Sequence, residues 1–389
     1  MKKFFLAAAL VAAACSCSDK TAFTINGKAG ELDGKAVLSY KTLSDELAAD
    51  TVAMKGGSFV FKGTVEEPLL ANIQLLPEGS DPVVMSGVFV IEPVEISVSM
   101  DPADIVDNGS RGGLCCKPVV VGGRNNAFIS GLDGVTEEVA ASSSDFAEYA
   151  KDFKALEKMG YADFDAYRAK YDEMMEKYSE VMPAYNDAVY QAIQKYVEQH
   201  KDCEVATMWF NAYFSDLPFD EYVGKFESFP ESVRNSFIAR QIKEDIEARK
   251  ATQPGCEAPD FTLKTPDGSE LTLSSLRGGK VIMLDFWGSW CGWCIKGIPT
   301  LKEKYAAYSD KIEFISIDCR DTQEKWLKAI EDNELPWLQV KSEEEDDTPG
   351  KYGVQGYPSF YFIDQDGKIL KVFLGESEEF ENYFSELFD

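Results

Sequence analysis

Residues 289–297 read SWCGWCIKG, with Cys291 and Cys294 three positions apart and a tryptophan, Trp290 or Trp293, just before each. A structural zinc site needs four ligands, usually two such pairs. This chain has no second Cys-x-x-Cys, Cys115 and Cys116 are adjacent, and His200 is its single histidine, so no metal is expected. An inert disulfide across two intervening residues removes little entropy from the unfolded chain and stabilises weakly. A redox dithiol gives the spacing a purpose. At a helix N-terminus, unpaired N–H groups and the helix dipole favour the thiolate of the first cysteine, which is expected to stay exposed. The second cysteine, one turn in, reaches the mixed disulfide that the first one forms. The lone histidine also argues against Cys–His and Ser–His–Asp catalysis.

Outward from the pair, strands and helices alternate. Residues 281–286 form a short apolar run with Asp285 inside it, and a helix is expected from the cysteines through Tyr305. Residues 312–317 read as a strand. Residues 321–331 read as an amphipathic helix carrying Trp326, Leu327 and Ile330. Residues 359–363 and 369–373 flank Asp364-Gln365-Asp366-Gly367, a hairpin turn. Residues 377–388 close the chain as a helix, with Ser377 as N-cap and Glu378 and Glu379 in its first turn. This βαβαββα order implies an α/β sheet of mixed strand direction. The five acids at 343–347 read as a solvated loop.

Upstream, Pro254, Gly255 and Pro259 mark a linker and a domain boundary near residue 252. Residues 125–250 read as helical. Tyr171, Met175, Tyr178, Met182, Tyr185, Val189, Ile193 and Tyr196 recur every three or four positions, the spacing of a packing face. Pro183 interrupts them with a kink or a fresh helix start. Residues 20–121 read as short strands separated by Gly, Pro, Asn and Asp. Lys55-Gly56-Gly57 among them is a hairpin signal. Such strands suggest a small sandwich or barrel.

The N-terminus opens with Lys2 and Lys3, then an apolar run over residues 4–14 that is too short to span a bilayer of about 30 Å but suits a signal peptide. Small residues ending on Cys15 resemble a bacterial lipobox, with Cys17 the second candidate for lipidation. Export would let disulfides persist. With 389 residues, two or three domains are expected. The 39 basic residues against 67 acidic ones leave a net charge of −28, which speaks against binding nucleic acid or an anionic lipid surface.

DFWGSWCGWC at 285–294, with Pro299 after it and KYGVQGYPSFYFIDQDGKI at 351–369, resembles the thioredoxin superfamily. PGCEAPDFTLKTPDGSELTLSSLRGGKVIMLDFW at 254–287 resembles its TlpA/ResA branch of exported, membrane-tethered thiol–disulfide oxidoreductases. The preceding regions more loosely resemble the DUF4369-like extension of lipoproteins from Bacteroides-type bacteria, for which no activity is implied. The resulting expectation is a multidomain chain: a signal peptide and lipobox (1–17), an all-β sandwich-like domain (20–121), a helical middle region (125–250) and a C-terminal α/β thioredoxin fold (253–389).

The resemblance implies that Cys291 attacks and Cys294 resolves. It makes Asp285, six residues before Cys291, a buried acid with a raised pKa that takes the proton of Cys294. Pro358 matches a cis-proline facing the disulfide, and the Tyr357 backbone would pair with an extended substrate. Trp290 would shape the docking surface together with Trp293, which stands where a proline is frequent. Many relatives carry a glutamate where this chain has Gly297. The implied activity is exchange of protein disulfides on the periplasmic side of the cell envelope, with a lipid anchor, a membrane electron donor and no organic cofactor. APDFTL at 258–263 and LSSLRG at 273–278 also open peroxiredoxin-type domains. A thiol peroxidase is therefore one alternative, and a non-catalytic anchored binding protein is another.

Overall fold

A computed structural model describes residues 20–79, 83–109 and 113–388. The lipobox reading, with Cys15 and Cys17, lies outside the described residues. The chain divides into two compact units between Arg240 and Gln241. No helix among the described residues is long and apolar enough to cross a membrane.

The first unit begins with strands β1 (Ala22–Lys28), β2 (Gly34–Lys41), β3 (Leu47–Met54), β4 (Ser58–Thr64), β5 (Leu69–Pro77), β6 (Val84–Ser86), β7 (Phe89–Ile91), β8 (Glu95–Ser99), β9 (Ile105–Asp107), β10 (Leu114–Cys116) and β11 (Val119–Val121). One sheet has the order β11-β8-β1-β4. The other runs β3-β2-β5-β6-β10-β9, with β7 also on β5. Alternating side chains of both sheets, Ile25, Phe61 and Ile96 from one and Leu38, Ile73 and Phe89 from the other, share one core. The expected hairpin at Lys55-Gly56-Gly57 is corrected here. Lys55 and Ser58 exchange backbone hydrogen bonds across two glycines with φ of 50° and 72°, the left-handed conformation glycine adopts without a Cβ clash. Yet β3 pairs with β2 and β4 with β1. The turn carries the chain between sheets, because Met54 before it and Phe59 after it both point into the shared core.

Helices α1 (Arg124–Ala141), α2 (Ser144–Met159), α3 (Phe164–Lys177), α4 (Val181–Gln199), α5 (Ala206–Phe214), α6 (Phe219–Glu227) and α7 (Glu231–Arg234) follow. Pro183 sits in the first turn of α4, where its missing N–H breaks no helical bond. The aromatic series therefore spans two helices. Tyr178, between them, is buried with its ring 5.3 Å from that of Tyr149, so this part of the series is packing. His200 caps α4 with its ring against Phe128 and Tyr196.

Helix α8 (Arg240–Ala251) begins at the division. After it come β12 (Thr262–Lys264), β13 (Glu270–Thr272), β14 (Val281–Trp287), α9 (Gly292–Tyr308), β15 (Ile312–Cys319), α10 (Gln323–Asp332), β16 (Leu338–Ser342), α11 (Thr348–Lys351), β17 (Ser359–Ile363), β18 (Ile369–Leu374) and α12 (Glu378–Glu386). The sheet order is β13-β12-β16-β15-β14-β17-β18. Strands β14, β15 and β16 run parallel, β17 is antiparallel to β14, and β18 is antiparallel to β17. The mixed sheet agrees with the sequence reading, which leaves β12, β13 and β16 unassigned. In β16, Gln339 and Lys341 alternate with Leu338 and Val340 and are themselves buried, so its pattern does not announce a central strand.

Every residue of β14 is buried, because the sheet is covered on both faces. Leu284, Phe286, Ile315, Ile317 and Tyr361 pack on one side. Met283, Phe314, Phe360 and Phe362 pack on the other, against Phe380 and Phe384 of α12. The Phe380 ring is fully buried and stacks on Phe360 at 4.2 Å. Phe380→Ala should cost about 3–5 kcal/mol and lower the urea midpoint of the C-terminal unit. A loss below about 1 kcal/mol would mean that α12 does not help hold the sheet.

Candidate redox site

The end of β14 leads through Gly288, Ser289 and Trp290 into Cys291, the N-cap of α9, whose φ of −86° and ψ of 101° are extended. Cys291 and Cys294 are joined by a disulfide with their Cα atoms 5.3 Å apart. The Cys294 N–H donates to the Cys291 sulfur at 3.2 Å. Sulfur thus takes the place of the capping oxygen that satisfies a free N–H in the first helical turn. The same N–H and the helix dipole would favour a thiolate there. The approach to the helix is pinned from β15. Ser289 donates its N–H and hydroxyl to the Asp321 carboxylate at 2.6 and 2.7 Å, and the Trp290 indole N–H donates to the Cys319 carbonyl at 2.9 Å.

The Tyr357–Pro358 peptide is cis, and the Tyr357 carbonyl lies 3.6 Å from the Cys291 sulfur. The rings of Trp290 and Tyr357 meet edge to face at 5.2 Å. Sequence-predicted Cys291, Cys294, Trp290, Tyr357 and Pro358 therefore come together. Trp293, 73% exposed, stands outward beside them. The expected exposure of Cys291 is corrected: in the disulfide form this residue is 6% exposed and Cys294 is 4%. Its sulfur is turned back onto the first helical turn, and the carbonyl before the cis-proline lies against it. The indoles present most of the outward surface.

Asp285 lies within β14 on the face that also carries Trp287, and Trp287 packs with Cys291, Cys294 and Ile298. Its Oδ2 accepts from the Ser316 hydroxyl at 2.7 Å, while Oδ1 has no partner among the described residues. Burial pushes this carboxyl up to about 7. The Ser316 bond pulls it down and the charge of Glu376 adds to the rise. Fully buried Asp318 is pushed up to about 8 by burial and then by the neighbouring Asp321.

The sequence reading missed three charged neighbours. A Cβ at Gly297 would run into the carboxylate of Glu376, so an acid from the turn after β18 faces α9 at the position where relatives carry one on the helix itself. Desolvation and then Glu381 hold Glu376 above the usual carboxylate range. The Arg320 guanidinium lies 5.9 Å from the Trp290 ring and 5.5 Å from that of Tyr357, and Lys296 Nζ lies 5.1 Å from the Trp293 ring. The glycine at 297 was a signal that space there belongs to another element. Nothing in the sequence said which.

The AhpC/TSA family pattern matches residues 254–372, and that of a domain of unknown function, DUF4369, matches residues 23–128. The chain is similar to the thiol-disulfide oxidoreductase ResA of Bacillus thuringiensis (strain Al Hakam), at 32% identity over 142 residues, which are 36% of this chain and 81% of the relative. It is also similar to the thioredoxin-like protein YneN of Bacillus subtilis (strain 168), at 32% identity, covering 32% of this chain and 72% of that one. Among solved structures it resembles the thioredoxin domain of a thiol-disulfide oxidoreductase from Bacteroides vulgatus, with a TM-score of 0.33, 29% identity, and coverage of 35% of this chain and 98% of that one.

A carboxyl raised by burial keeps its proton in the folded chain where the unfolded chain has lost it. Through these two groups the oxidised protein should therefore lose stability as pH rises from about 4, toward about 7 for Asp285 and about 8 for Asp318. Asp285→Asn removes the first loss. The difference between urea midpoints at pH 4 and pH 8 should shrink in this variant. An unchanged difference would show that Asp285 ionises as it does in water.

Proposed function

The chain belongs to the ResA-like thiol–disulfide oxidoreductases, and from that premise we propose that Cys291 and Cys294 are its working dithiol, exchanging with disulfides of client polypeptides on the periplasmic side of the cell envelope. The observation that carries this reading is a disulfide at the mouth of α9, where the strand leading into it buries a carboxyl with one oxygen unpartnered among the described residues.

In the reducing direction the Cys291 thiolate attacks a client disulfide. A Cys291–client bond forms, and the first client sulfur leaves as a thiolate that takes a proton. Cys294 then gives its proton to Asp285 Oδ1 and attacks the Cys291 sulfur. The 291–294 bond closes, and the second client sulfur leaves. Two electrons pass from the pair to the client. An acid poised near 7 is ionised in a substantial fraction of molecules at neutral pH, so it can accept that proton and later release it. The carbonyl of Tyr357, beside the sulfur, supports pairing with an extended client segment, and the exposed faces of Trp290 and Trp293 support contact with its side chains. The cycle closes when a membrane-side dithiol donor reduces the pair again. Lys2, Lys3, the apolar run after them and Cys15 support a lipid anchor that would keep the enzyme near such a donor.

The AhpC/TSA match over residues 254–372 favours one second reading, a thiol peroxidase. Cys291→Ser should reduce insulin-disulfide cleavage to background, whereas Cys294→Ser should accumulate mixed disulfides visible on non-reducing gels. Undiminished cleavage by both variants would end the proposal. Consumption of hydrogen peroxide with a thiol donor, at rates above those on insulin, would favour the second reading.

A further inference from the structure

This chain has 67 acidic residues against 39 basic ones, yet the side chains stacked on its two exposed active-site indoles are both cations. Arg320 lies against Trp290 and Tyr357, and Lys296 against Trp293. Both are exposed, and neither makes an ion pair among the described residues. A cation resting on an aromatic face keeps donors turned outward, where a carboxylate can take them.

The placement of Arg320 is built into the fold. Its φ of 69° lies in the left-handed region that non-glycine residues seldom occupy. The residues on either side are both bonded to the turn that leads into Cys291, Cys319 through its carbonyl to Trp290 and Asp321 through its carboxylate to Ser289. The backbone is thereby held on both flanks, and the guanidinium is placed over the rings of Trp290 and Tyr357, the residues that adjoin Cys291. Neither adjacent acid forms an ion pair with it among the described residues. Asp321 is occupied twice by Ser289, and Asp318 is buried. The cleft of about 840 Å³ that Arg320 also lines carries Asp245, Asp321, Glu343, Glu344 and Asp347, and Glu343 binds buried Lys341 at 3.0 Å. Glu343, Glu344 and Asp347 follow β16, which lies beside β15 and two strands from β14, about 10 Å from β14 at ordinary strand spacing.

We infer that Arg320 and Lys296 select client segments bearing an aspartate or glutamate immediately beside the reacting cysteine. The inference rests on the reading of Cys291 and Cys294 as the working dithiol. Arg320 and Lys296 rest on the aromatic residues that adjoin the cysteines, so a carboxylate next to the client cysteine is attracted, whereas the acids that line the cleft repel one farther along. The preference is confined to the immediate neighbours.

The test uses prereduced full-length protein in single turnover with symmetric peptide disulfides of equal length, whose cysteine is flanked by Asp, Gln or Lys. Each reaction converts one peptide disulfide to two thiols and the protein dithiol to its disulfide. Rates are divided by those of the same peptides with dithiothreitol, which removes their intrinsic reactivity. Exposed ion pairs of this kind should make the Asp peptide about three- to tenfold faster than the Gln peptide, with the Lys peptide slower. The gap should narrow in 0.5 M salt, where the screening length is only about 4–5 Å. The double variant R320E/K296E should reverse the order, and R320Q/K296Q should flatten it. Because each ratio is taken within one variant, a general loss of activity cancels. The same order of rates in the parent and in R320E/K296E would overturn the inference while leaving the dithiol reading intact. Failure of the parent to reduce even the Gln peptide would overturn both.

Discussion

The backbone N–H groups at the start of α9 have no carbonyl partners within the helix, and the site depends on that fact. A cysteine sulfur at the N-cap accepts one of them. The group that best satisfies the helix end is thus also the group that helix end would stabilise as an anion. Everything around it keeps the helix start in place. β14 delivers the chain to it from the centre of a sheet covered on both faces. Asp321 and the Cys319 carbonyl hold the intervening turn, and the loop at Tyr357 lies against the sulfur.

A second constraint is the buried carboxyl of Asp285 in the strand that leads to the pair. Strand β14 leaves no room for a solvated charge, so Asp285 holds its proton far above the usual acid range and accepts from the Ser316 hydroxyl. Such a group lowers the stability of the fold at neutral pH. Glu376 adds a like charge from another element, and its carboxylate occupies the space left open by Gly297. Acid placement in this site is therefore shared between a strand and a distant turn.

Much of this was legible along the chain. The apolar run containing Asp285, the helix after the cysteines, the Asp364–Gly367 turn and the Ser377 cap are local features set by periodicity and capping chemistry, and they appear where the pattern put them. The mixed α/β sheet followed from their order. Strand β16 was not legible, since buried Gln339 and Lys341 mimic a solvated edge. The glycine pair at 56–57 forms the expected two-residue turn, closed by one antiparallel bridge, and the strands beyond it separate into two sheets. Turn chemistry dictates where the chain reverses, whereas the pairing partner depends on which core the flanking residues enter.

The cysteine spacing, its tryptophans and the buried acid six residues upstream belong to the sequence alone, because each acts within one or two turns of chain. The covered state of Cys291, the acid facing Gly297 and the cations on the two indoles were decided by tertiary structure. Cys291 meets Tyr357 across 66 residues. Glu376 reaches α9 from the far end of the sheet, and Arg320 reaches Trp290 only because β15 lies beside β14. Contacts between residues so far apart are set by sheet order and by which faces are buried, and neither is written in the neighbours of any one residue.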